Sequence, residues 1–287
     1  MSISAGRSGL NWKIFVTPGV ATVNDDLPPG ETVRMWSPTS SILIYGERDA
    51  ILVDTLTTTA QATALAAWVE QSGKNLTTIY ATHGHGDHFF GNGILLERFP
   101  GARAVATRKV IEIMRKQTSP QVMAGLWNKR FPGLIPENIV LPEKLDGDTL
   151  HLEGHELVIV DVGHTDTDDC TCLHLPSADL VVAGDIAYND VHQYFAESLT
   201  HEKRMEWVAA LDKVEALKPK VVIAGHKRET NGDGPNVIEE TRQYIRDFDR
   251  LVDKTSTAIE LYNAMLGFYP DRLNRGALWG SARALKG

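Results

Sequence analysis

Three histidines and an aspartate lie within six residues, in the stretch YATHGHGDHFFGN, as His83, His85, Asp87 and His88. Neutral imidazole and carboxylate groups are ligands that zinc and iron accept in proteins. A strand ending just before this stretch presents His83 and His85 on one side, because residues two apart in a strand share a face. The intervening glycines let the chain turn, so that Asp87 and His88 reach a neighbouring point. We therefore predict two adjacent metal half-sites, each of which needs further ligands.

Three other apolar stretches of the sequence end at residues that supply such ligands. VIVDVGHTD reaches His164, LVVAGD reaches Asp185 and KVVIAGH reaches His226, each directly after a glycine. A carboxylate has two oxygens, so Asp185 is suited to bridge two ions. The predicted ligand sets are His83, His85, His164 and Asp185 for one ion, and Asp87, His88, His226 and Asp185 for the other.

This pattern resembles the five ligand motifs of the metallo-β-lactamase-fold hydrolases, over roughly residues 40–226. The resemblance implies an α/β fold, namely an αββα four-layer sandwich of two mixed β-sheets flanked by helices. It also implies a dinuclear metal centre with two Zn²⁺ ions per chain, with iron or manganese left open. Asp54, at the strand end AILVDT, resembles an aspartate that precedes the ligand motifs in the family's sequences. That aspartate usually supports a metal-binding side chain and does not bind the metal itself.

Two departures from the family pattern narrow this expectation. The exported zinc β-lactamases often carry a cysteine at the position of Asp185, whereas this chain has an acid there. Family members that use di-iron for redox work often carry an acid at the position of His85. We therefore expect zinc-dependent hydrolysis of a small molecule that is not a β-lactam antibiotic.

The segments between the motifs follow an α/β order. SSILIYG, AILVDTL and LTTIYATH read as strands, TTAQATALAAWVEQSG as a helix, and DTLHLEGHELVIVDVGH as a hairpin that turns at Glu153 and Gly154. The segment up to about Pro38 reads as turn-rich. We predict a single domain over residues 1–287, with a helical flap at about 108–136 and a helical C-terminal extension at about 237–287.

Composition restricts the partners. The 287 residues carry a net charge of −8, which disfavours a nucleic-acid partner, since such proteins usually need a basic face. The sequence holds no apolar run of the roughly 18–20 residues that a membrane span needs. No apolar run follows Arg7, so we expect a cytoplasmic protein without a signal peptide. Cys170 and Cys172 are too close in sequence for a useful disulfide, and we expect small buried side chains.

For the reaction, Asp87 is predicted to orient a metal-held hydroxide and to relay a proton to the leaving group. Tyr194 or His192 is a candidate hydrogen-bond donor to the oxyanion. The candidate substrate-binding residues are Phe89, Phe90, Trp127, Phe131, Tyr188 and Tyr194. Such an aromatic wall suits an apolar or aromatic small molecule.

Several functions stay open at this stage. The leading one is hydrolysis of a lactone, lactam, ester or isothiocyanate. A glyoxalase II-like thioester hydrolase is an alternative that needs basic residues on the C-terminal helices, such as Arg242, Arg246 and Arg250. A nuclease and a non-catalytic metal-binding sensor rank lower. The apolar stretch LYNAMLGFYP is compatible with a homodimer face or with packing inside the domain.

Overall fold

A computed structural model describes residues 9–287. Residues 1–8, where the N-terminal segment without an export signal begins, lie outside this range. The strands are β1 (Asn11–Thr17), β2 (Ala21–Thr22), β3 (Arg34–Met35), β4 (Thr39–Tyr45), β5 (Asp49–Val53), β6 (Asn75–Tyr80), β7 (Arg103–Ala106), β8 (Glu143–Lys144), β9 (Thr149–Leu152), β10 (His155–Gly163), β11 (Cys170–Leu175), β12 (Leu180–Asn189) and β13 (Val221–Lys227).

The helices lie between and after the strands along the chain. They are α1 (Thr59–Gln71), α2 (Asn92–Arg98), α3 (Arg108–Gln117), α4 (Pro120–Val122), α5 (Asn128–Arg130), α6 (His201–Ala216), α7 (Asn236–Lys254), α8 (Ala258–Phe268) and α9 (Arg275–Lys286). A π-helical turn, Met123–Trp127, joins α4 to α5, and 3₁₀ turns cover Gly86–His88 and Pro176–Ala178.

Two sheets face each other. The first has the strand order β1-β4-β5-β6-β7-β8, and the second has the order β13-β12-β11-β10-β9. Both sheets are mixed. In the first sheet, β1, β4 and β5 pair antiparallel, and β5 to β8 run parallel. In the second sheet, β12 and β13 pair parallel, and the other pairs within residues 9–287 are antiparallel. Their facing apolar side chains, such as Ile44 and Val53 against Leu157 and Leu173, belong to one buried cluster.

Helices cover both outer faces of this sandwich. The outer face of the first sheet buries Leu43 and Leu52 together with Leu65 and Val69 of α1. The outer face of the second sheet packs against α6 to α9, in a cluster that includes Trp207. The predicted four-layer αββα arrangement is therefore confirmed.

Local signals explain several elements. Helix α1 begins after Thr58, whose side chain accepts from the backbone N–H of Gln61 while the Gln61 side chain accepts from Thr58, a capping box. The predicted hairpin is also confirmed, because Leu152 pairs with His155 across the turn at Glu153 and Gly154. The flap is helical but irregular, with α3 to α5 interrupted by the π-helical turn.

The N-terminal expectation was wrong in one respect. Strand β1 lies in the segment predicted to be turn-rich, and it pairs with β4 over seven residues, from Asn11–Tyr45 to Thr17–Thr39. The strand forms because β4 would otherwise be an open sheet edge, which favours pairing with any extended segment nearby.

The C-terminal extension predicted at 237–287 consists of α7, α8 and α9. Leu261 of α8 and Leu278 of α9 share the buried cluster that lies on the second sheet. No helix within residues 9–287 is both long and apolar enough to cross a membrane. The division of the chain into a single domain stays a prediction.

Candidate metal centre and adjoining pocket

The candidate metal centre lies where strands from both sheets end. Strand β6 leads into the segment that carries His83 and His85, and the 3₁₀ turn after it carries Asp87 and His88. Strands β12 and β13 contribute Asp185 and His226. These side chains are all buried, with His85 the most exposed at 9%. Six of the seven predicted ligands are thus brought together from three places in the chain.

Three overlapping groups of side chains could each hold a metal ion, because the ligand atoms within a group all lie within 4.8 Å of one another. The groups are His83, His85 and Asp166; His83, His88 and Asp185; and Asp87, His88 and His226. Asp185 faces both sides of the centre, since its Oδ1 lies 3.3 Å from His88 Nε2 and its Oδ2 lies 2.9 Å from His226 Nε2. This arrangement is the one expected of a bridging carboxylate.

His164 is placed differently from the prediction. Its Nε2 lies 2.8 Å from Ser198 Oγ and its Nδ1 lies 2.7 Å from Asp168 Oδ1, so both ring nitrogens have hydrogen-bond partners outside the ligand groups. Asp166 occupies the corresponding side of the centre, with its Oδ2 3.0 Å from His85 Nδ1. The turn after β10 therefore directs the acid two residues later, rather than the histidine, toward His83 and His85.

Buried polar atoms without hydrogen bonds mark the centre as a place for cations. Among the described residues, His83 Nε2, His88 Nε2 and Asp185 Oδ1 are buried and lack hydrogen-bond partners. Such atoms are costly unless something compensates them. Divalent metal ions fit this donor set of imidazole nitrogens and carboxylate oxygens, which zinc and iron accept.

Two of the buried groups already have the protonation state that a metal ligand needs. Burial, with the His88 ring adding to it, holds the pKa of His83 well below its usual value, so this imidazole is neutral. Burial opposes ionisation of Asp185, yet His226 and His88 outweigh it and hold the pKa of this carboxyl well below its usual range. Neutral imidazole and ionised carboxylate are the forms that bind metal.

Asp54 lies behind the centre, as the resemblance implied. Its Oδ2 is 2.8 Å from His88 Nδ1, and its two oxygens accept from the backbone N–H and the hydroxyl of Thr82. Asp54 has a φ of 63°, a left-handed conformation that asparagine and aspartate tolerate better than most residues. It thereby fixes the ring orientation of one histidine and the start of the loop that carries the others.

Other ligand side chains are oriented from elsewhere in the fold. Trp36 Nε1 donates to Asp87 Oδ2 at 2.9 Å. His226 Nδ1 lies 2.8 Å from the carbonyl oxygen of Pro38, and His85 Nε2 lies 2.9 Å from Glu197 Oε1. The two histidines keep their other ring nitrogens, His85 Nδ1 and His226 Nε2, directed toward Asp166 and Asp185. Asp87 uses one oxygen for both directions, since its Oδ2 also lies 3.6 Å from His226 Nε2.

Two glycines allow the loop to lie close to its neighbours. A Cβ on Gly84 would overlap the side chain of Ile113 in α3, and a Cβ on Gly91 would overlap the carbonyl oxygen of Thr55. The loop therefore needs glycine at these positions in order to pack between α3 and the end of β5.

A pocket opens onto the centre. It encloses about 670 Å³ including its open mouth. At the metal side it is lined by His85, Asp87, Asp166, Asp185 and His226, and elsewhere by Trp36, Trp127, Tyr188, Tyr194, Arg34 and Arg130 among others. Four aromatic side chains and two arginines thus contribute to the walls.

The predicted substrate residues divide into two sets. Trp127, Tyr188 and Tyr194 line the pocket, and the Tyr194 ring lies 6.0 Å from that of His85. Phe89, Phe90 and Phe131 do not line it, because they are fully buried in the cluster that supports Trp127. These three side chains shape the wall from behind instead of contacting substrate.

His192 also lies away from the pocket. Its Nδ1 is 2.7 Å from the hydroxyl of Tyr244, and the side chain is fully buried. Burial, with Arg272 adding to it, lowers the pKa of His192 to about 3, so the ring is neutral. Tyr188 donates its hydroxyl to Asp185 Oδ2 at 3.0 Å, which leaves Tyr194 as the predicted donor that faces the pocket.

Sequence reasoning missed several site residues. Asp166 had a signal, since the stretch GHTDTDD holds three acids after the histidine. Trp36, Arg34 and Arg130 had none, because they lie in the N-terminal segment and the flap, far in sequence from the ligand motifs.

Comparison with known proteins agrees with this site. A sequence profile of the metallo-beta-lactamase superfamily matches residues 34–226, more than half of the chain. The chain belongs to the metallo-beta-lactamase superfamily. The matched range contains every ligand candidate named above, and a search of curated proteins found no match to the chain.

Solved structures of the superfamily share the fold. A metallo-beta-lactamase from Pontibacter korlensis is 15% identical, with 86% of this chain and 99% of that chain covered and a TM-score of 0.59. The metallo-beta-lactamase FIM-1 from Pseudomonas aeruginosa, in its mono-zinc form, is 19% identical, with 85% and 94% covered and a TM-score of 0.58. One from Hirschia baltica is 18% identical, with 85% and 96% covered and a TM-score of 0.54. At these identities the likeness shows the fold alone.

Proposed function

We propose that the protein is a dinuclear metal-dependent hydrolase that acts on the electrophilic carbon of a small molecule. The observation that carries this proposal is the set of unpartnered buried atoms, His83 Nε2, His88 Nε2 and Asp185 Oδ1, beside a pocket. A cluster that served only to stabilise the fold would pair these atoms within the protein.

The residues divide between two cation positions. One ion would be held by His83, His85 and Asp166, and the other by Asp87, His88 and His226, with Asp185 between them. Zn²⁺ is the proposed metal, because imidazole-rich sites with carboxylates suit it. When bound, such ions supply a water whose pKa falls to about 7 and polarise the electrophile.

The protein's own groups account for the remaining steps. Asp87 lines the pocket and is held by Trp36, so we assign to its carboxylate the transfer of a proton to the leaving group. Tyr194 lies beside His85 and is assigned the hydrogen bond to the developing oxyanion. The aromatic wall excludes water from the reacting carbon and favours an apolar or aromatic substrate body.

The substrate class is a lactone, lactam, ester or isothiocyanate. The glutathione thioester alternative required the stripe Arg242, Arg246 and Arg250. Arg242 is bound by Glu239, Asp212 and Glu215, and Arg250 by Asp247. The stripe is thus neutralised by the protein's own acids, which favours the first class.

Metal analysis together with a substrate panel tests the proposal. We expect about two ions per chain, as in two-metal hydrolases, and hydrolysis of at least one lactone, ester, lactam or isothiocyanate that ceases on chelation and returns with Zn²⁺. Asp185→Ala should lose both metal and turnover, while Asp161→Ala, an exposed control, should keep both. Full metal loading without turnover on any compound would instead indicate a metal-binding sensor, and a metal content near zero would refute the hydrolase.

A further inference from the structure

Two guanidinium groups line the pocket without an acid to neutralise them. Arg34 is buried, with 8% of its surface exposed, and Arg130 is partly buried. Neither forms a salt bridge with any carboxylate in residues 9–287, and the Arg130 guanidinium donates no hydrogen bond within that range. Buried arginines are normally paired, so this pair is an exception that calls for a ligand.

The protein holds these cations in place. Arg34 donates to the carbonyl oxygens of Asp26 at 3.2 Å and Gly276 at 2.7 Å. The backbone carbonyl of Arg130 accepts from Val23 N–H at 2.9 Å, and its guanidinium lies 5.7 Å from the centre of the Trp36 ring. The Arg34 guanidinium is therefore held before any ligand arrives, which lowers the entropic cost of binding one. The Arg130 guanidinium lies over Trp36, and in the part of the chain that the structure describes its hydrogen-bond donors are free for a ligand.

The charges around the two arginines leave them with net positive character. Burial, with Arg130 adding to it, lowers the pKa of Arg34 to about 10, and burial also lowers the pKa of Arg130. Asp26 is the acid that raises the pKa of Arg34 most. Its carboxylate, however, accepts a hydrogen bond from Trp279 Nε1 and lies 3.6 Å from the Arg283 guanidinium. Both groups stay cationic at neutral pH and repel each other, a cost that an anion would relieve.

One aromatic side chain, Trp36, lies between the Arg130 guanidinium and the candidate metal centre. Trp36 contacts the Arg130 guanidinium with its ring face and donates through Nε1 to Asp87, a candidate ligand. The Trp36 ring also packs on Trp127 at 5.5 Å. One indole thus separates the cations from the reacting end of the pocket, which leaves room there for a molecule with an apolar body.

We infer that Arg130, with Arg34 beside it, binds a carboxylate on the substrate and so selects small aromatic or apolar molecules that carry an anionic group. This inference rests on the proposed hydrolase and specifies its substrate class. A planar carboxylate matches the fork of a guanidinium, which makes Arg130 a specificity residue. Glu197, the other acid at this side of the pocket, is engaged by His85 and Thr167.

Equilibrium binding of benzoate and of its neutral counterpart benzamide tests the inference on the intact metal-loaded protein. Fluorescence of Trp36 and Trp127 reports occupancy. Arg130→Gln should weaken benzoate binding by about tenfold or more, since charged hydrogen bonds are lost, and should change benzamide binding little. Lys129→Gln removes the same charge from the neighbouring exposed residue and should leave both affinities unchanged.

The alternatives give different results. Benzoate held only by the metal ions would bind Arg130→Gln and the parent protein equally, and this result would overturn the inference. An equal loss of benzoate and benzamide would show a general collapse of the pocket and would also overturn it. Arg130→Lys keeps the charge without the planar fork, so it should bind benzoate with intermediate affinity even if Arg130→Gln folds poorly.

The two proposals fail separately. Arg130-dependent benzoate binding in a protein that hydrolyses no compound of the panel would refute the hydrolase and keep the anion site. Hydrolysis of neutral and carboxylate-bearing esters with equal kcat/KM, unchanged in Arg130→Gln, would refute the anion site and keep the hydrolase.

Discussion

At the scale of single residues, the orientation of one turn decides which side chain faces the other ligand candidates of the metal centre that we propose. His164 and Asp166 are two residues apart in the sequence, and both an imidazole and a carboxylate can bind a divalent ion. The structure directs Asp166 toward His85, while Ser198 and Asp168 bind the two nitrogens of His164. Ligand identity therefore depends on hydrogen bonds made outside the centre.

Paired substitutions test this assignment. Asp166→Asn should weaken the binding of one ion by more than the roughly 10–100-fold that the loss of a merely supporting residue costs. His164→Gln should keep the parent's metal content and lose some stability, since its hydrogen bonds to Ser198 and Asp168 go. Elemental analysis after dialysis against a metal buffer provides the measurement, and the reverse ranking of the two variants would return His164 to the ligand set.

At the scale of elements, one carboxylate ties the two sheets together at an edge. Glu153, at the tip of the β9–β10 hairpin, accepts hydrogen bonds from the backbone N–H groups of Glu47, Arg48 and Asp49, in the turn between β4 and β5. These donors lower the pKa of Glu153 to about 2, from an ordinary value of 4.5. The contact joins the second sheet to the first.

This contact makes stability depend on pH. Because the folded pKa of Glu153 is depressed, its contribution is present above about pH 4.5 and is lost as the pH falls toward 2. Glu153→Gln should therefore lower the free energy of unfolding at pH 7, with the difference from the parent shrinking below pH 4. Urea titrations at several pH values measure this.

The matched control is Glu143→Gln, an exposed glutamate whose carboxylate has no hydrogen bond within the described chain. It should leave stability unchanged at every pH. A constant difference between Glu153→Gln and the parent from pH 7 down to pH 2 would show that the charge of Glu153 is not what stabilises the edge.

At the scale of the whole molecule, the pocket is closed by segments from opposite ends of the chain. Arg34 binds the carbonyl of Gly276, and Trp279 Nε1 donates to Asp26 at 2.8 Å. On the other side of the same wall, Val23 donates to the carbonyl of Arg130 in the flap. Helix α9 is thus part of the pocket as well as of the core, because Gly276 and Ala277 line it.

A single hydrogen bond tests how firmly α9 is joined to the rest. Ser281 Oγ accepts from the buried backbone N–H of Phe195 at 2.8 Å. Ser281→Ala leaves that donor unsatisfied and should cost about 1–3 kcal/mol in the free energy of unfolding. Ser256→Ala, at an exposed position between α7 and α8, should change it little, and equal stability of both variants would show that α9 docks without this bond.

The sequence by itself determined the chemistry and much of the fold. The pattern from His83 to His88 is local, so the chain places these side chains together whatever surrounds them. The strand end at His226 follows from an apolar stretch that stops at a polar residue, and the cap at Thr58 starts α1. The strand end predicted at Asp185 was wrong, because β12 continues through this residue to Asn189. Short-range signals of this kind are readable because the residues that interact are close in sequence.

Only the tertiary structure decided which groups surround that chemistry. Strand β1 formed because β4 needed a partner, and Asp166 rather than His164 faces His85 because Ser198 lies beside the histidine. Arg34 and Arg130 meet in one pocket although 95 positions lie between them, since the N-terminal segment, the flap and α9 pack over the centre. Such contacts depend on the packing of distant segments, and no local pattern in the sequence records them.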